Sequence, residues 1–145
     1  MKRSLVRRFA RSRRGTTAVE FAIASTPFFL LLFGIIEFSR MLWTLNAIQQ
    51  AAIEGARCMG IVNTNCGSGG TYSSGATTTF IENTASGWGV TLTAGDITLN
   101  NAATCAGVAG FSEVTINYTF QTVVPLITQL SSDALSANAC FPNGG

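Results

Sequence analysis

The sequence contains no histidine and few charged side chains. Without histidine, neither a Ser-His nor a Cys-His catalytic pair can form, and no mixed Cys/His metal site can be completed. Charged residues make up 11% of the chain, well below the roughly 25% of a typical soluble domain. The glycines of residues 67–75 lack the strand, helix and lysine of a phosphate-binding loop. We therefore expect a protein that is not an enzyme and that holds no metal or cofactor.

Basic residues are nearly absent after position 15. Seven of the nine lie in the first fifteen positions, and only Arg40 and Arg57 follow them, against all seven acidic residues. A basic head followed at once by an apolar stretch obeys the positive-inside rule, which places the head in the cytoplasm. A nucleic-acid-binding arm is the alternative, but such arms seldom border a long uncharged stretch. We expect no nucleic-acid partner.

One apolar segment dominates the first half of the chain. No residue from Phe21 to Ile36 is charged, and residues 17–36 as a helix would span about 30 Å, the thickness of bilayer hydrocarbon. Pro27 lies inside this segment, where lipid tolerates it as a kink. Apolar residues continue at helical spacing to about Met59. The sequence therefore predicts one helix over residues 17–59 that crosses the membrane and then projects from it.

The hydrophobic periodicity changes from that of a helix to that of a strand after Gly89. The predicted elements beyond the long helix are a loop over 63–75, a helix over 76–86, a hairpin joining 90–92 to 97–99, a loop over 100–111, a strand over 113–123, a helical turn over 126–130 and a strand over 135–141. The fold class is α+β, a long helix leading into a small antiparallel sheet. The predicted domains are a basic leader (1–15), the helix (16–60) and an extracytoplasmic α+β domain (61–145).

All four cysteines, Cys58, Cys66, Cys105 and Cys140, follow the apolar segment. An even number in an oxidising compartment predicts two disulfides. No two have the Cys-x-x-Cys spacing of a zinc or redox site. Three pairings are open, and we favour Cys58–Cys66, which closes the loop after the helix, and Cys105–Cys140, which ties the tail to the domain. Free buried thiols are the alternative.

The junction between the basic head and the apolar segment reads RRGTTAVEF over residues 13–21. It resembles the leader site of type IV prepilin-like proteins, which a membrane aspartic peptidase cuts after a glycine and whose fifth mature residue is glutamate. The resemblance implies cleavage between Gly15 and Thr16, which removes the leader and retains the apolar anchor. It also implies that Glu20, which is costly at the edge of lipid, pairs with the N-terminal amine of a neighbouring subunit. A carboxylate that snorkels to the headgroups is the alternative.

A wider pattern resembles the TadE family, the pseudopilins of the tight-adherence (Flp) pilus. The pattern comprises Phe21, then Glu37 and Arg40 within GIIEFSR (34–40), and Gly55, Ala56 and Arg57 within EGAR (54–57). Gly55 and Ala56 would allow close helix packing, with Arg57 either pairing with Glu54 or docking another protein. The cysteine-bearing region 58–75 departs from the family pattern.

The resemblance implies a minor pseudopilin that is processed by prepilin peptidase and acts in pilus assembly and surface adhesion. About 85 residues (61–145) follow the helix, whereas major pilins of this system are little more than a leader and one helix. The expected partners are prepilin peptidase, other pilins and pseudopilins, the inner-membrane assembly platform and membrane lipid. The expected location is the bacterial inner membrane in a single pass, with the N-terminus cytoplasmic and the C-terminal domain in the periplasm or in the extracellular pilus.

Two alternative functions remain open from the sequence. One is a pseudopilin of a type II secretion machine, against which Thr16 and the sparse charge argue, because that family usually begins with Phe or Met. The other is an uncleaved, signal-anchored extracytoplasmic binding module.

Overall fold

The computed structural model describes residues 15–123 and 134–144. The chain divides into two compact units, an N-terminal unit that ends at Phe38 and a C-terminal unit that begins at Ser39. A long N-terminal helix is followed by a three-stranded antiparallel sheet, which confirms the predicted α+β class. The helical turn predicted over 126–130 lies outside the described residues.

Helix α1 runs over Thr16–Gly60, one residue beyond the predicted range at each end. It closes through a bond from the Ile61 N–H to the Arg57 carbonyl, after which Val62 adopts a positive φ of 46°. That left-handed conformation stops the helix. Pro27 is accommodated inside it.

Helix α2, over Ser74–Gly87, begins where a side chain caps it. The Ser73 hydroxyl accepts a hydrogen bond from the Ala76 N–H at 3.4 Å, which satisfies one of the free N–H groups of the first turn. Three threonines of α2 donate their hydroxyls to the carbonyl four residues earlier, as Thr77 does to the Ser73 carbonyl at 2.9 Å, so these hydroxyls are satisfied within the helix. Two short paired strands, β1 (Gly67–Ser68) and β2 (Thr71–Tyr72), precede α2 within the predicted loop.

The main sheet has the strand order β3-β4-β5, with both pairs antiparallel. Its strands are β3 (Ile97–Cys105), β4 (Val108–Thr119) and β5 (Ala134–Pro142). Along β4 the buried residues alternate with more exposed ones, and Val114 and Ile116 are fully buried. The predicted strands over 113–123 and 135–141 are therefore confirmed, with β4 starting earlier and ending earlier than expected.

The hairpin predicted between 90–92 and 97–99 is wrong. Residues 94–96 form a single 3₁₀ turn, in which the Asp96 carboxylate accepts bonds from the N–H and the hydroxyl of Thr93, both at 2.8 Å. Strand β3 pairs with β4 instead, through a turn at Ala106 and Gly107, whose φ values are 51° and 83°. Val90 and Leu92 are buried outside any strand, so their alternation reflects packing. The loop predicted over 100–111 is mostly strand.

The core of the C-terminal unit is formed by one face of α1, by α2 and by one face of the main sheet. Small side chains on α1 allow the elements to approach closely. The core residues of α1 are Ala47, Ile48, Ala51, Ala52, Ala56 and Met59. Those of the other elements are Ile81, Ala85, Val90, Leu92, Val114, Ile116, Phe120, Leu135 and Ala137.

Candidate functional site: the N-terminal helix

Gly15 and Thr16 lie where α1 begins. Thr16 is the first residue of the helix, and Gly15 directly precedes it and is exposed. A Cβ atom added at Gly15 would meet no other atom within 4 Å, and Gly15 has no positive φ. Within the described residues the fold therefore gives no packing or backbone reason for glycine here. A recognition event that needs a small residue would be such a reason.

Glu20 is exposed and lies four residues after Thr16 on the same helix. Residues four apart share a face of an α-helix, and the rise between them is about 6 Å. Because the Cα–Cβ bond of a helical residue tilts toward the helix N-terminus, the Glu20 carboxylate leans toward the start of α1. A free amine created at Thr16 would also carry its positive charge at this end.

The apolar residues between Thr17 and Ile36 are exposed all around the helix. Phe21 and Ile23 are about 70% exposed, and Phe28, Leu31 and Ile35 are each near 60%. A helix that is apolar on every face and covered by no protein is typical of a membrane span. Among the described residues, α1 is the one helix long and apolar enough to cross a membrane, and its most apolar window is entirely unburied.

The hydroxyl groups of the apolar segment are satisfied by the helix itself. Ser25 and Thr26 both donate to the Ala22 carbonyl, at 3.1 and 3.0 Å. Such bonds remove the cost of leaving a hydroxyl unpaired in hydrocarbon. The polar residues in this segment are therefore compatible with lipid.

The EGAR segment (54–57), near the C-terminal end of α1, contains both buried and exposed residues. Gly55 is buried, and a Cβ added there would lie 2.6 Å from both Cγ1 and Cδ1 of Ile81 and 3.5 Å from the Val114 Cγ2. Ala56 is 1% exposed, whereas Glu54 and Arg57 are exposed. Gly55 and Ala56 thus serve packing, and the Arg57 guanidinium faces solvent.

Neighbouring residues of the GIIEFSR segment (34–40) differ in their exposure. Glu37 is 6% exposed, while Phe38, the next residue, is 57% exposed. The Arg40 guanidinium lies 5.6 Å from the centroid of the Phe120 ring, within the range of a cation–π contact. Arg40 thus contacts the first residue after β4.

Both favoured disulfides are present. Cys58–Cys66 joins the end of α1 to the residue before β1, and Cys105–Cys140 joins the end of β3 to β5. The second bond links the two outer strands at the same end of the sheet. Both bonds lie within the C-terminal unit, which fits an oxidising compartment.

No metal-binding group of three or more His, Cys, Asp or Glu residues occurs in the described part of the chain. An open depression of about 410 Å³ lies beside α2 and is lined by Asn65, Gly75, Ala76, Thr79, Phe80 and Asn83. None of these side chains is ionisable. The lining therefore contains no ionisable side chain for general acid–base chemistry.

The structure also brings together two tryptophans that the sequence does not connect. Trp43 on α1 and Trp88 after α2 lie 45 residues apart in sequence, yet their ring centroids are 5.8 Å apart. Both side chains are substantially exposed, at 57% and 44%. The sequence places Trp43 soon after the apolar segment but does not indicate its contact with Trp88.

Comparison with known protein families matches part of the chain. Residues 15–57 match the family model described as TadE-like protein. The matched segment begins at Gly15 and ends at Arg57, so it contains the junction, the apolar segment and the motif around Gly55. No curated protein and no solved structure matches the chain.

Proposed function

We propose that this chain, which is TadE-like over residues 15–57, is a minor pseudopilin that is processed after Gly15 and held in the membrane by α1. TadE-like proteins are associated with the tight-adherence (Tad) pilus and are structural proteins. The proposal adds a cleavage site, a membrane topology and a role in building an adhesive filament.

The observation that supports this proposal most is the coincidence of three features at the start of α1. The helix begins directly after a glycine that packing does not require. A carboxylate, Glu20, lies one turn into a helix that is otherwise uncharged to Ile36. The apolar side chains around it are exposed and need a non-aqueous environment.

Glu20 has a specific task in this scheme. Cleavage before Thr16 would create an ammonium group at a helix N-terminus, where the helix dipole disfavours positive charge. A carboxylate from a neighbouring subunit would neutralise that ammonium in a low-dielectric environment, where each charge alone is costly. The charge pair would then set the register between subunits as they assemble.

The partners follow from these steps. A prepilin peptidase would cut the leader, other pilins and pseudopilins would supply the opposite charge, and an inner-membrane platform would receive the processed subunit. The basic residues before position 15 favour a cytoplasmic N-terminus. The disulfide-bonded unit would then lie in the periplasm or on the filament.

The test is Glu20→Gln in cells that assemble the pilus. This change removes the charge and keeps the side-chain size, so we expect the protein to insert and to be processed as before, while the number of pili per cell falls strongly. Glu54→Gln is the matched control, because Glu54 is an exposed carboxylate on the same helix beyond the apolar segment. Counting pili by electron microscopy measures the effect. Normal piliation with Glu20→Gln would refute the charge-pairing role.

A further inference from the structure

Trp43 and Trp88 form an exposed aromatic pair on the C-terminal unit. Their rings are tilted by 58° at a centroid separation of 5.8 Å. The Trp43 indole N–H donates to the Trp88 carbonyl at 3.0 Å, so the polar atom of that ring is already paired within the protein. The surface that Trp43 leaves exposed is therefore mainly ring carbon.

The two tryptophans are positioned by two different helices. Trp43 lies on α1, and Trp88 closes α2, where its N–H donates to the Ala85 carbonyl at 3.0 Å. Gly89, which follows, adopts a positive φ of 80°, which turns the chain away. Two separate helices thus position the two rings together at the surface.

The position of Trp43 along the chain limits what the pair can meet. It follows Ile36, the last residue of the apolar segment, by seven residues. Seven residues span about 10 Å as a helix and at most about 25 Å when fully extended. The headgroup layer of a bilayer adds about 5–8 Å on each side of the hydrocarbon. The helical distance of about 10 Å exceeds the headgroup layer by only about 2–5 Å, which is less than the length of a tryptophan side chain. Trp43 is therefore tethered within reach of the headgroups of any bilayer that holds residues 17–36.

Two apolar residues that precede Trp43 in the sequence are also exposed. Phe38 is 57% exposed and Leu42 is 42% exposed, and both lie between Ile36 and Trp43. Tryptophan is enriched at membrane interfaces because its large ring prefers the boundary between lipid and water.

We propose that the Trp43–Trp88 pair is a lipid-contact surface that inserts into the headgroup layer of the same bilayer that α1 spans. This inference rests on the membrane anchoring proposed above. The pair would hold the C-terminal unit against the membrane before the subunit is extracted for assembly.

A second copy of the chain fits the surface less well than lipid does. A fully buried tryptophan contributes about 150–250 Å², so the exposed fractions of the two rings offer at most about 250 Å². A stable protein interface needs about 800 Å² from each partner. Lipid needs no such complementary area.

The experiment uses the full-length chain in phosphatidylcholine vesicles and reads tryptophan fluorescence. The chain has two tryptophans, so all of the signal comes from this pair, and Trp43→Phe and Trp88→Phe give each ring separately. We expect the chain to float with the vesicles. Lipids with bromine on the acyl carbons nearest the headgroup should remove most of the fluorescence of both rings. Lipids with bromine near the acyl chain ends should remove less, and acrylamide in the water should quench weakly.

The control places the reporter elsewhere on the same unit. Val108→Trp in a Trp43→Phe, Trp88→Phe background puts one tryptophan at the β3–β4 turn, where Val108 is 58% exposed. This reporter should be quenched strongly by acrylamide and little by the brominated lipids. Equal lipid quenching of the control and the pair would overturn the inference, because contact would then not be specific to the pair.

The remaining outcomes separate the inference from the proposed function. If the chain floats and the pair is quenched by acrylamide but not by brominated lipid, the lipid contact is wrong and the anchoring stands. If the chain floats and neither quencher acts, protein covers the pair and the lipid contact is again wrong. If the chain does not float, the anchoring itself fails and the inference falls with it.

Discussion

Replacing Gly55 with alanine tests whether the family-matched motif serves the packing of α1. The new Cβ would lie 2.6 Å from both Cγ1 and Cδ1 of Ile81, whereas carbon atoms in contact prefer about 3.5–4.0 Å. Ile81 is 0% exposed, so it has no solvent-facing space into which to move. Overpacking of this kind costs about 1–3 kcal/mol, and the better helix propensity of alanine returns about 1 kcal/mol. We expect the variant to be less stable by about 1 kcal/mol, and at most by about 2.

Gly75→Ala is the matched control for this change. Gly75 also lies in a helix, but a Cβ there would meet nothing within 4 Å, so alanine should stabilise by about 0.4–1 kcal/mol. The difference between the two variants isolates the overpacking cost. Urea unfolding of the detergent-solubilised chain, followed by tryptophan fluorescence, measures both.

A double variant sharpens the same test. Ile81→Ala removes both atoms that crowd position 55, so the combined Gly55→Ala, Ile81→Ala variant should lose less stability than the two single losses added together, by about 0.5–3 kcal/mol. A Gly55→Ala protein as stable as Gly75→Ala would refute the close packing. So would two single losses that simply add.

Three further changes have defined outcomes. Asn143→Ala should lower the free energy of unfolding, measured in urea, by about 1–3 kcal/mol. The Ser112 hydroxyl, on a residue that is 1% exposed, donates to the Asn143 Oδ1 at 2.6 Å and would lose this acceptor. Ser136→Ala, at an exposed position of β5, should change stability by less than about 0.5 kcal/mol. Removing Cys105–Cys140 by paired alanine substitutions should lower the free energy of unfolding by about 4 kcal/mol, and removing Cys58–Cys66 should lower it by about 2.5 kcal/mol. The costs differ because the cross-linked cysteines are 35 positions apart in the first bond and 8 in the second. Thermal unfolding of the two paired variants checks that order, and equal losses would contradict the loop-length argument.

The parts of the fold that the sequence predicted are those with local periodic signals. Helix α1 is readable because apolar residues recur at helical spacing on both sides of position 36. The pattern ends at Gly60, which is followed by two β-branched residues and then by the polar residues 63–65. Strand β4 is readable because Val114 and Ile116 alternate with Thr115 and polar neighbours. Both signals depend on near neighbours in sequence, and neither depends on the rest of the chain.

The hairpin between β3 and β4 was missed because two sequence signals were misleading. The turn residues 94–96 look like a hairpin turn, but the Asp96 carboxylate binds Thr93 and closes a short 3₁₀ turn instead. The true turn uses Ala106, a residue that seldom adopts the positive φ of 51° found here. Residues 100–105 are small and polar, so their pairing with β4 is set by tertiary structure.

The candidate site, like the fold, has parts that the sequence predicts and parts that it does not. The junction at Gly15 and Glu20 is a contiguous sequence motif, so the sequence alone predicts it, and its cleavage and pairing stay predictions. The burial of Gly55 was expected as helix packing, but Ile81 as its neighbour depends on where α2 lies. The contact between Trp43 and Trp88 depends on the end of α2 and has no sequence signal.

The most direct measurement of the central claim is the intact mass of the protein extracted from membranes of cells with an active prepilin peptidase. The account predicts a chain that begins at Thr16 and retains the apolar segment, and a Gly15→Val variant whose mass is that of the unprocessed chain. A wild-type chain that still carries residues 1–15, or one cut after Ile36, would contradict it.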